Sequence, residues 1–275
     1  MSGKLWIPGI TGILGDQGSG KSFATLKIAL QYAEQIEFDL TFNFSVNLRA
    51  MYDYCLEMGY IWLLTRLRRG MIRVRDSRDL VEFMDRPKTI YILDEAGVYL
   101  NSRKYQDIDP EFLHQLAQVR HDGKMLWWIA QYYDMSDKML RNLSGAFIQC
   151  LSEVRFNKKL GNSELYWQKV YLYKARDYKI FLNRVNEKMT GIKFWINSRK
   201  LASFHWEGIL SAQDKMLFDI YQSFGSKVGD EVKKKDELKL IEPKQVNFTE
   251  DEFNSFFDRK QSVAQNSNNP YILFG

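Results

Sequence analysis

Residues 15–22 constrain what this chain can fold into more than any other segment. They read Gly-Asp-Gln-Gly-Ser-Gly-Lys-Ser, which is a glycine, four free positions and then Gly-Lys-Ser. The preceding run, Ile10–Leu14, is short and apolar, as is typical of a buried strand, and apolar residues recur at helical spacing over 22–34. Strand, glycine-rich turn and helix is the context in which this pattern binds phosphate. We therefore predict a nucleotide-binding phosphate loop.

The residue types in this loop fit the chemistry of phosphate binding. Glycines allow successive backbone amides to turn toward an anion, and the N-terminus of the following helix adds its positive dipole. Lys21 is predicted to reach the β- and γ-phosphates, and the Ser22 hydroxyl to help hold Mg²⁺. The predicted nucleotide-binding residues are Gly15, Gly18, Ser19, Gly20, Lys21 and Ser22. ATP and Mg²⁺ are the predicted cofactors.

A second feature is an apolar run that ends in two adjacent carboxylates. Thr89–Leu93 leads directly into Asp94 and Glu95. In phosphate-loop ATPases the strand beside the loop ends in an acid that orders the water around Mg²⁺, and a neighbouring carboxylate can polarise the attacking water. Asp94 fits the first role, as a metal ligand, and Glu95 fits the second, as the catalytic carboxylate. The alternative is an ordinary strand terminus, but the position downstream of the loop favours the catalytic interpretation.

The third feature is the wholly apolar run Met125–Ala130, which ends at Gln131. Phosphate-loop proteins that hydrolyse with a separate glutamate insert a strand between the loop strand and the acidic strand. The tip of that strand supplies a polar sensor for the γ-phosphate. Gln131 is placed to be this sensor, and an ordinary polar strand end is the alternative.

Periodicity predicts further elements around these motifs. We expect a helix over 48–67, a short helix over 80–84 with Ser77 as its cap, a strand over 146–151 and a terminal helix over 212–224.

Composition and charge limit the class of protein. The chain has 275 residues, enough for one large core or two modest ones, and a net charge of +5, which permits a polyanionic partner without requiring one. Cys55 and Cys150 lack metal spacing and are predicted to be buried thiols in a reducing compartment. No apolar run has the length of a membrane-spanning helix and no signal region is evident, so we predict a soluble protein of the cytoplasm.

Changes in residue composition and patterning along the chain predict three segments within an α/β fold that has a mainly parallel sheet. Residues 1–152 are predicted to form the ATPase core, 153–225 a β-rich extension with a terminal helix, and 226–275 a polar, disordered tail. In the extension, alternation over 166–173 and 179–182 predicts strands, either at the sheet edge or in a small subdomain. Basic residues among its tyrosines and tryptophans are typical of a single-stranded nucleic-acid path or of a solvated sheet face.

With these motifs in place, the chain resembles the zonula-occludens-toxin-like branch of the FtsK/HerA ATPases. That branch includes filamentous-phage assembly proteins, and the broader group includes viral genome-packaging ATPases. The resemblance covers about residues 7–150. The matching segments are Gly15 to Ser22, Leu93-Asp94-Glu95-Ala96, Gln118-Val119-Arg120-His121-Asp122-Gly123, Ile129-Ala130-Gln131 and Asp137 with Leu140-Arg141.

The resemblance implies a hexameric ring of RecA-like, three-layer ATPase domains with sites between subunits. An arginine from the neighbouring subunit would stabilise charge on the transferring phosphoryl group. Arg120 and Arg141 are the candidates, and Arg120 is favoured because it lies in the more distinctive segment. Filamentous-phage assembly proteins carry a membrane-spanning helix after the ATPase domain, and this sequence has none. A motor that docks on a capsid, a membrane vesicle or an integral partner through the tail at 226–275 fits better.

The leading hypothesis is therefore an ATPase that translocates single- or double-stranded DNA, specifically to package a viral genome. It would act in the host cytoplasm, in association with the virion or the inner membrane through partners. The first alternative is an ATP-driven assembly or extrusion factor that acts on coat proteins or a secretion complex. The second is a small-molecule kinase, against which the Asp94-Glu95 pair and the strand before Gln131 count. A GTPase lacks support because no Asn-Lys-x-Asp guanine reader is found.

Overall fold

The central sheet has parallel strands in one part and antiparallel strands in the other. In the computed structural model the strands are β1 (Ile10–Leu14), β2 (Asp39–Phe42), β3 (Arg73–Val74), β4 (Thr89–Leu93), β5 (Met125–Ala130), β6 (Ala146–Asn157), β7 (Asn162–Lys174) and β8 (Phe204–Ile209). They form one sheet in the order β3-β2-β4-β5-β1-β6-β7-β8. Neighbours from β3 to β6 in this order are parallel, whereas β7 is antiparallel to both β6 and β8. The prediction of an α/β fold with a mainly parallel sheet is confirmed.

Helices pack on both faces of this sheet. They are α1 (Lys21–Ile36), α2 (Leu48–Met58), α3 (Ile61–Arg68), α4 (Leu80–Phe83), α5 (Ala96–Tyr99), α6 (Pro110–Gln118), α7 (Lys138–Leu143), α8 (Ala175–Asn186), α9 (Ile192–Leu201) and α10 (Ala212–Ile220). The structure describes residues 7–77, 79–100, 110–119, 121–157, 162–186 and 192–221. The tail predicted over 226–275 lies outside these ranges. Within them, no helix is both long and apolar enough to cross a membrane.

Alternating side chains of the central strands enter two separate cores. In β5, Trp127 and Ile129 belong to the core that α1, α2, α3 and α10 cover, whereas Trp128 and Ala130 lie in the core on the opposite face, with α6, α7 and α8. Because successive residues of a strand point to opposite faces, a strand buried on both faces has no polar position. This explains why the sequence of β5 is wholly apolar.

Gly12 shows how closely one of these cores constrains the strand that leads into the phosphate loop. A Cβ atom at Gly12 would lie 2.6 Å from Cζ2 of Trp128 and 2.8 Å from Cδ1 of Phe147. The Trp128 indole is fully buried and donates from Nε1 to the Ser144 hydroxyl at 2.9 Å. Only glycine leaves room for this indole, so the contact determines where β1 lies against β5.

Two local predictions between β2 and β4 are wrong. The helix predicted over 48–67 is divided into α2 and α3, because Gly59 adopts a left-handed conformation with φ of 72° and its amide closes α2. The short helix α4 is capped by Asp79, whose side chain accepts from the Glu82 amide, and not by Ser77. The Ser77 hydroxyl accepts instead from Nδ2 of Asn43.

The predicted β-rich extension continues the same sheet. Residues 166–173 lie in β7 as predicted, but residues 179–182 lie in helix α8 and not in a strand. Tyr178 and Phe181 of this helix pack on the rings of Tyr173 and Phe147. The predicted boundary between residues 152 and 153 falls inside β6, and helix α10 ends at Ile220. The sheet therefore runs across that boundary.

Candidate nucleotide-binding site

The glycine-rich segment forms a tight loop between β1 and α1. Gly20 has φ of 73° and stands at the N-terminus of α1 without a side chain to cap it, so the amides of the first turn face the loop. Gly15 leaves no room for a side chain, because a Cβ atom there would lie 2.5 Å from both the Cys150 carbonyl oxygen and the Ser19 hydroxyl. The loop therefore has the backbone geometry of an anion site.

The Lys21 ammonium lies across the mouth of this loop. Its Nζ donates to the carbonyl oxygens of Gly15 at 2.7 Å and Asp16 at 2.8 Å. Burial lowers the pKa of Lys21 from its usual value, and nearby Cys150 and Asp94 act in the opposite direction. A partly buried cation that contacts neutral carbonyls gains strongly from an anionic partner.

Two polar side chains from β6 and β7 hold the loop from outside. The Ser152 hydroxyl donates to the Gly18 carbonyl at 2.8 Å, and Nε2 of Gln168 donates to the Gly20 carbonyl at 2.7 Å. Gln168 is fully buried. Because these side chains bind backbone carbonyls, they fix the loop's shape without depending on its side chains. No motif singled them out in the sequence, although a glutamine among the apolar residues of β7 was an available signal.

Asp94 lies directly opposite the loop. Its Oδ2 accepts from the Tyr221 hydroxyl at 3.2 Å and lies 3.5 Å from the Ser22 hydroxyl, while its Oδ1 accepts from the Glu95 amide at 2.8 Å. Burial raises the pKa of this carboxyl group, and these hydrogen bonds together with Lys21 oppose the rise. The structure thus brings the predicted metal ligands, Ser22 and Asp94, to one point.

Asn43, which follows β2, holds the backbone of Asp94 in place. Its Oδ1 accepts from the Asp94 amide at 2.7 Å, and its Nδ2 donates to the Asp94 carbonyl at 3.1 Å. This paired contact ties the end of β4 to the end of β2, so Asn43 positions both carboxylates of the acidic pair. No motif in the sequence singles out Asn43.

Glu95 stands exposed at the turn that follows β4. Its backbone has φ of 52° and ψ of 41°, a left-handed conformation that non-glycine residues adopt at a cost of roughly 1–2 kcal/mol. Such conformations concentrate at functional sites. The strained turn keeps the Glu95 side chain at the solvent-facing mouth of the site and leaves the Asp94 side chain inside.

Gln131 lies beside the start of the loop. Strand β5 is inserted between β4 and β1, and Leu14 is in register with Ala130, so the strand tip meets the loop. The Gly15 amide donates to the Gln131 carbonyl at 3.3 Å, and the Gln131 side chain is exposed. The predicted strand insertion is present, and Gln131 lies at the same sheet edge as Lys21 and Asp94.

Of the two arginines predicted to act across a subunit interface, the structure describes Arg141. Arg120 lies outside the described residues. Arg141, on α7, forms an ion pair with Asp134 and lies 4.8 Å from the centre of the Tyr133 ring. Arg141 therefore has partners within its own chain.

The residues at this edge fit a nucleotide and a hard metal ion. The Ser19 hydroxyl is buried inside the loop and has no hydrogen-bond partner among the residues that the structure describes. Ser22 Oγ and Asp94 Oδ2, at 3.5 Å, are close to the separation of about 3.0 Å between adjacent oxygens in an octahedral Mg²⁺ shell with bonds of about 2.1 Å. Both donors are oxygens, which Mg²⁺ prefers.

The fold is an α/β sheet in which a glycine-rich loop follows β1 and a strand, β5, is inserted between the loop strand β1 and the acidic strand β4. No protein-family model and no curated protein matches the sequence.

Two groups of solved structures are similar to the chain. The N-terminal domain of zonular occludens toxin from Neisseria meningitidis is 17% identical and has a TM-score of 0.42, over 79% of this chain and 100% of that domain. The genome packaging NTPase B204 from Sulfolobus turreted icosahedral virus 2, in complex with ATP-gammaS, is 15% identical with a TM-score of 0.41, over 61% and 92%. The DNA-packaging ATPase B204 from Sulfolobus turreted icosahedral virus is 15% identical with a TM-score of 0.37, over 59% and 91%.

The resemblance predicted from the motifs is confirmed as a similarity to these proteins. At these TM-scores and identities the similarity assigns no activity to the chain. The activity is therefore inferred from the geometry of the site.

Proposed function

We propose that this protein is an ATPase that couples the hydrolysis of Mg²⁺-bound ATP to the translocation of DNA, as in genome packaging. The observation that carries the ATPase part is that the predicted loop, the acidic pair and the polar strand tip meet at one sheet edge. These three features come from distant parts of the sequence, and a chance glycine turn would not bring an acidic strand to the Ser22 hydroxyl.

Each side chain has a role that its position supports. Lys21 would bind the β- and γ-phosphates in place of the loop carbonyls it now contacts, and Ser22 and Asp94 would hold the metal ion. Bound Mg²⁺ would supply charge that stabilises the leaving phosphates. Glu95 would orient and deprotonate the attacking water. Gln131, at the neighbouring strand tip, would contact the γ-phosphate.

The DNA part of the proposal rests on the series of motifs, and the net charge of +5 permits a polyanionic partner. The motif series also implies a ring in which an arginine acts across the subunit interface. Because Arg141 has partners within its own chain, Arg120 remains the favoured arginine.

The test is ATP hydrolysis by the purified protein with no DNA, with single-stranded DNA and with double-stranded DNA, each over a range of salt concentrations. We expect DNA to stimulate hydrolysis, and we expect Lys21→Ala to abolish both the basal and the stimulated rates. A hydrolysis rate that DNA does not change would contradict only the DNA part of the proposal. It would favour an assembly factor that acts on proteins. Hydrolysis that persists in Lys21→Ala would contradict the site.

A mixing experiment tests the arginine in trans. Glu95→Gln subunits carry an intact Arg120, and Arg120→Ala subunits carry an intact Glu95, so each variant alone is expected to be inactive. If the arginine acts across an interface, mixed rings should regain hydrolysis at sites that combine both intact residues. If mixing restores nothing while each variant still assembles, Arg120 acts within its own subunit or has no catalytic role.

A further inference from the structure

Tyr221 is distant in sequence from the predicted metal ligands Ser22 and Asp94 but lies beside them in the fold. It directly follows α10, and its hydroxyl donates to Oδ2 of Asp94 at 3.2 Å. The phenol therefore binds the same carboxylate oxygen that lies 3.5 Å from the Ser22 hydroxyl, and neither the loop motif nor the acidic motif includes it.

The Tyr221 side chain is held in this position by its surroundings. Its ring packs edge-on against Phe44 at 5.1 Å, and its backbone forms a bridge with Val46. The Asn47 amide donates to the Ile220 carbonyl at 2.8 Å. These contacts join the end of α10 to the connection between β2 and α2. They therefore fix the position of the Tyr221 phenol.

Helix α10 is in turn attached to the helix that follows the phosphate loop. Lys27 on α1 forms an ion pair with Asp214 at 2.6 Å, and Asp214 is buried. Phe23 and Phe218 stack at 5.1 Å. A change at Tyr221 therefore acts on an element that packs against α1.

We propose that Tyr221 is a residue of the metal–nucleotide site, and that its hydroxyl competes with Mg²⁺ for Asp94. The Oδ2 atom of Asp94 has to exchange its contact with the phenol for a contact with the metal shell when Mg²⁺ binds with a nucleotide. Tyr221 thereby lowers the affinity for the metal-bound nucleotide without affecting binding of the metal-free nucleotide. This inference rests on the proposed nucleotide site.

The experiment compares ADP binding in excess Mg²⁺ and in EDTA, by calorimetry, for the wild type, Tyr221→Phe and Tyr32→Phe. Tyr221→Phe removes the hydroxyl and keeps the ring against Phe44. We expect it to tighten binding in Mg²⁺ about fivefold, the effect of one hydrogen bond, and to leave binding in EDTA unchanged. Tyr32→Phe is the matched control, because it removes a buried hydroxyl that bonds to Ile7 away from the site.

A second measurement follows the metal directly. Mn²⁺ titrated into ADP-saturated protein and detected by electron paramagnetic resonance should bind more tightly to Tyr221→Phe than to the wild type, by the same factor. Equal or weaker metal affinity in Tyr221→Phe would overturn the competition.

The outcomes separate this inference from the proposed function. If the wild type binds ADP with a clear dependence on Mg²⁺ and Tyr221→Phe behaves identically, only the role of Tyr221 is wrong. If the wild type binds no nucleotide, or binds it equally well with and without Mg²⁺, the proposed function and this inference are both wrong.

Discussion

The two halves of the sheet contribute to the same site in different ways. The parallel half, from β3 to β6, supplies the loop, the acidic pair and the polar strand tip, which are the groups that would contact the nucleotide. The later part of the chain, β7 with α10 and the outer end of β6, supplies side chains that contact those groups: Ser152, Gln168 and Tyr221. The groups that would contact the nucleotide therefore come from the parallel half, whereas their support comes from both parts, since Asn43 after β2 also holds Asp94.

This difference shows that the residues of the phosphate loop do not form the site by themselves, because other parts of the chain hold the loop in place. The loop's own residues provide amides, an ammonium and a hydroxyl, but its carbonyls at Gly18 and Gly20 bind side chains from β6 and β7. A loop that several hydrogen bonds hold in one conformation needs less ordering when it binds phosphate. The comparison predicts that variants in the first half abolish function, whereas variants in the second half tune it.

The largest effect is expected from Glu95→Gln in the parallel half. Removing the carboxylate that orients the attacking water should lower kcat about 10²–10⁴-fold, with nucleotide affinity unchanged. Steady-state hydrolysis and ADP binding on the same sample measure the two quantities. Glu37→Gln is the matched control, because Glu37 is also an exposed glutamate in a left-handed conformation, at the far end of α1. An equal loss in both variants would show that the effect is structural.

The next effect concerns the core that positions the loop strand. Gly12→Val should reduce the free energy of unfolding by about 3 kcal/mol, because the new side chain overlaps the indole of Trp128. Gly70→Ala is the control for glycine itself. Gly70 has φ of 63° with open space around it, so only the backbone strain of about 1 kcal/mol is expected. Urea unfolding measures both, and equal costs would contradict the close approach of β1 to Trp128.

A smaller effect is expected from Gln168→Met in the antiparallel half. This change keeps the volume of the side chain and removes its hydrogen bond to the Gly20 carbonyl, so nucleotide binding should weaken about fivefold. The free energy of unfolding should change by less than about 1 kcal/mol, since Gly20 still accepts from the Ala24 amide. Gln31→Met, in the same small groove between α1 and β7, is the control. Unchanged affinity in Gln168→Met would mean that the loop keeps its shape unaided.

The smallest difference tests whether the sheet and the helices on one of its faces unfold together. Cys55 on α2 and Cys150 on β6 are both free, buried thiols in the same core, and burial raises the pKa of Cys150 to about 12. Both thiols are therefore protonated and shielded at pH 8, and neither should react with iodoacetamide in the folded protein. Pulsed alkylation over a urea series, with mass spectrometry, should show both reacting at one urea concentration. Earlier reaction of Cys150 would show that β6 becomes accessible before α2 does.

Contiguous patterns were predictable from the sequence, and ambiguous short runs were not. The apolar runs that form β1, β4 and β5 each occupy the predicted positions, because strands buried on both faces leave an unbroken apolar signal. Residues 179–182 alternate for only four positions, which is too short to distinguish a strand from one face of a helix. The packing of Tyr178 and Phe181 favours the helix α8 over a strand, since both side chains pack on the sheet at helical spacing.

The loop, the acidic pair and the inserted strand that ends at Gln131 were predictable from the sequence as parts of a candidate site. Each is a run of neighbouring residues whose types follow from what phosphate and Mg²⁺ require. The contacts of Asn43, Gln168 and Tyr221 with those groups became visible only in the folded chain. The physical reason is that a single hydrogen bond between distant residues leaves no periodicity and no spacing in the sequence. Such contacts exist only after the strands have been placed side by side.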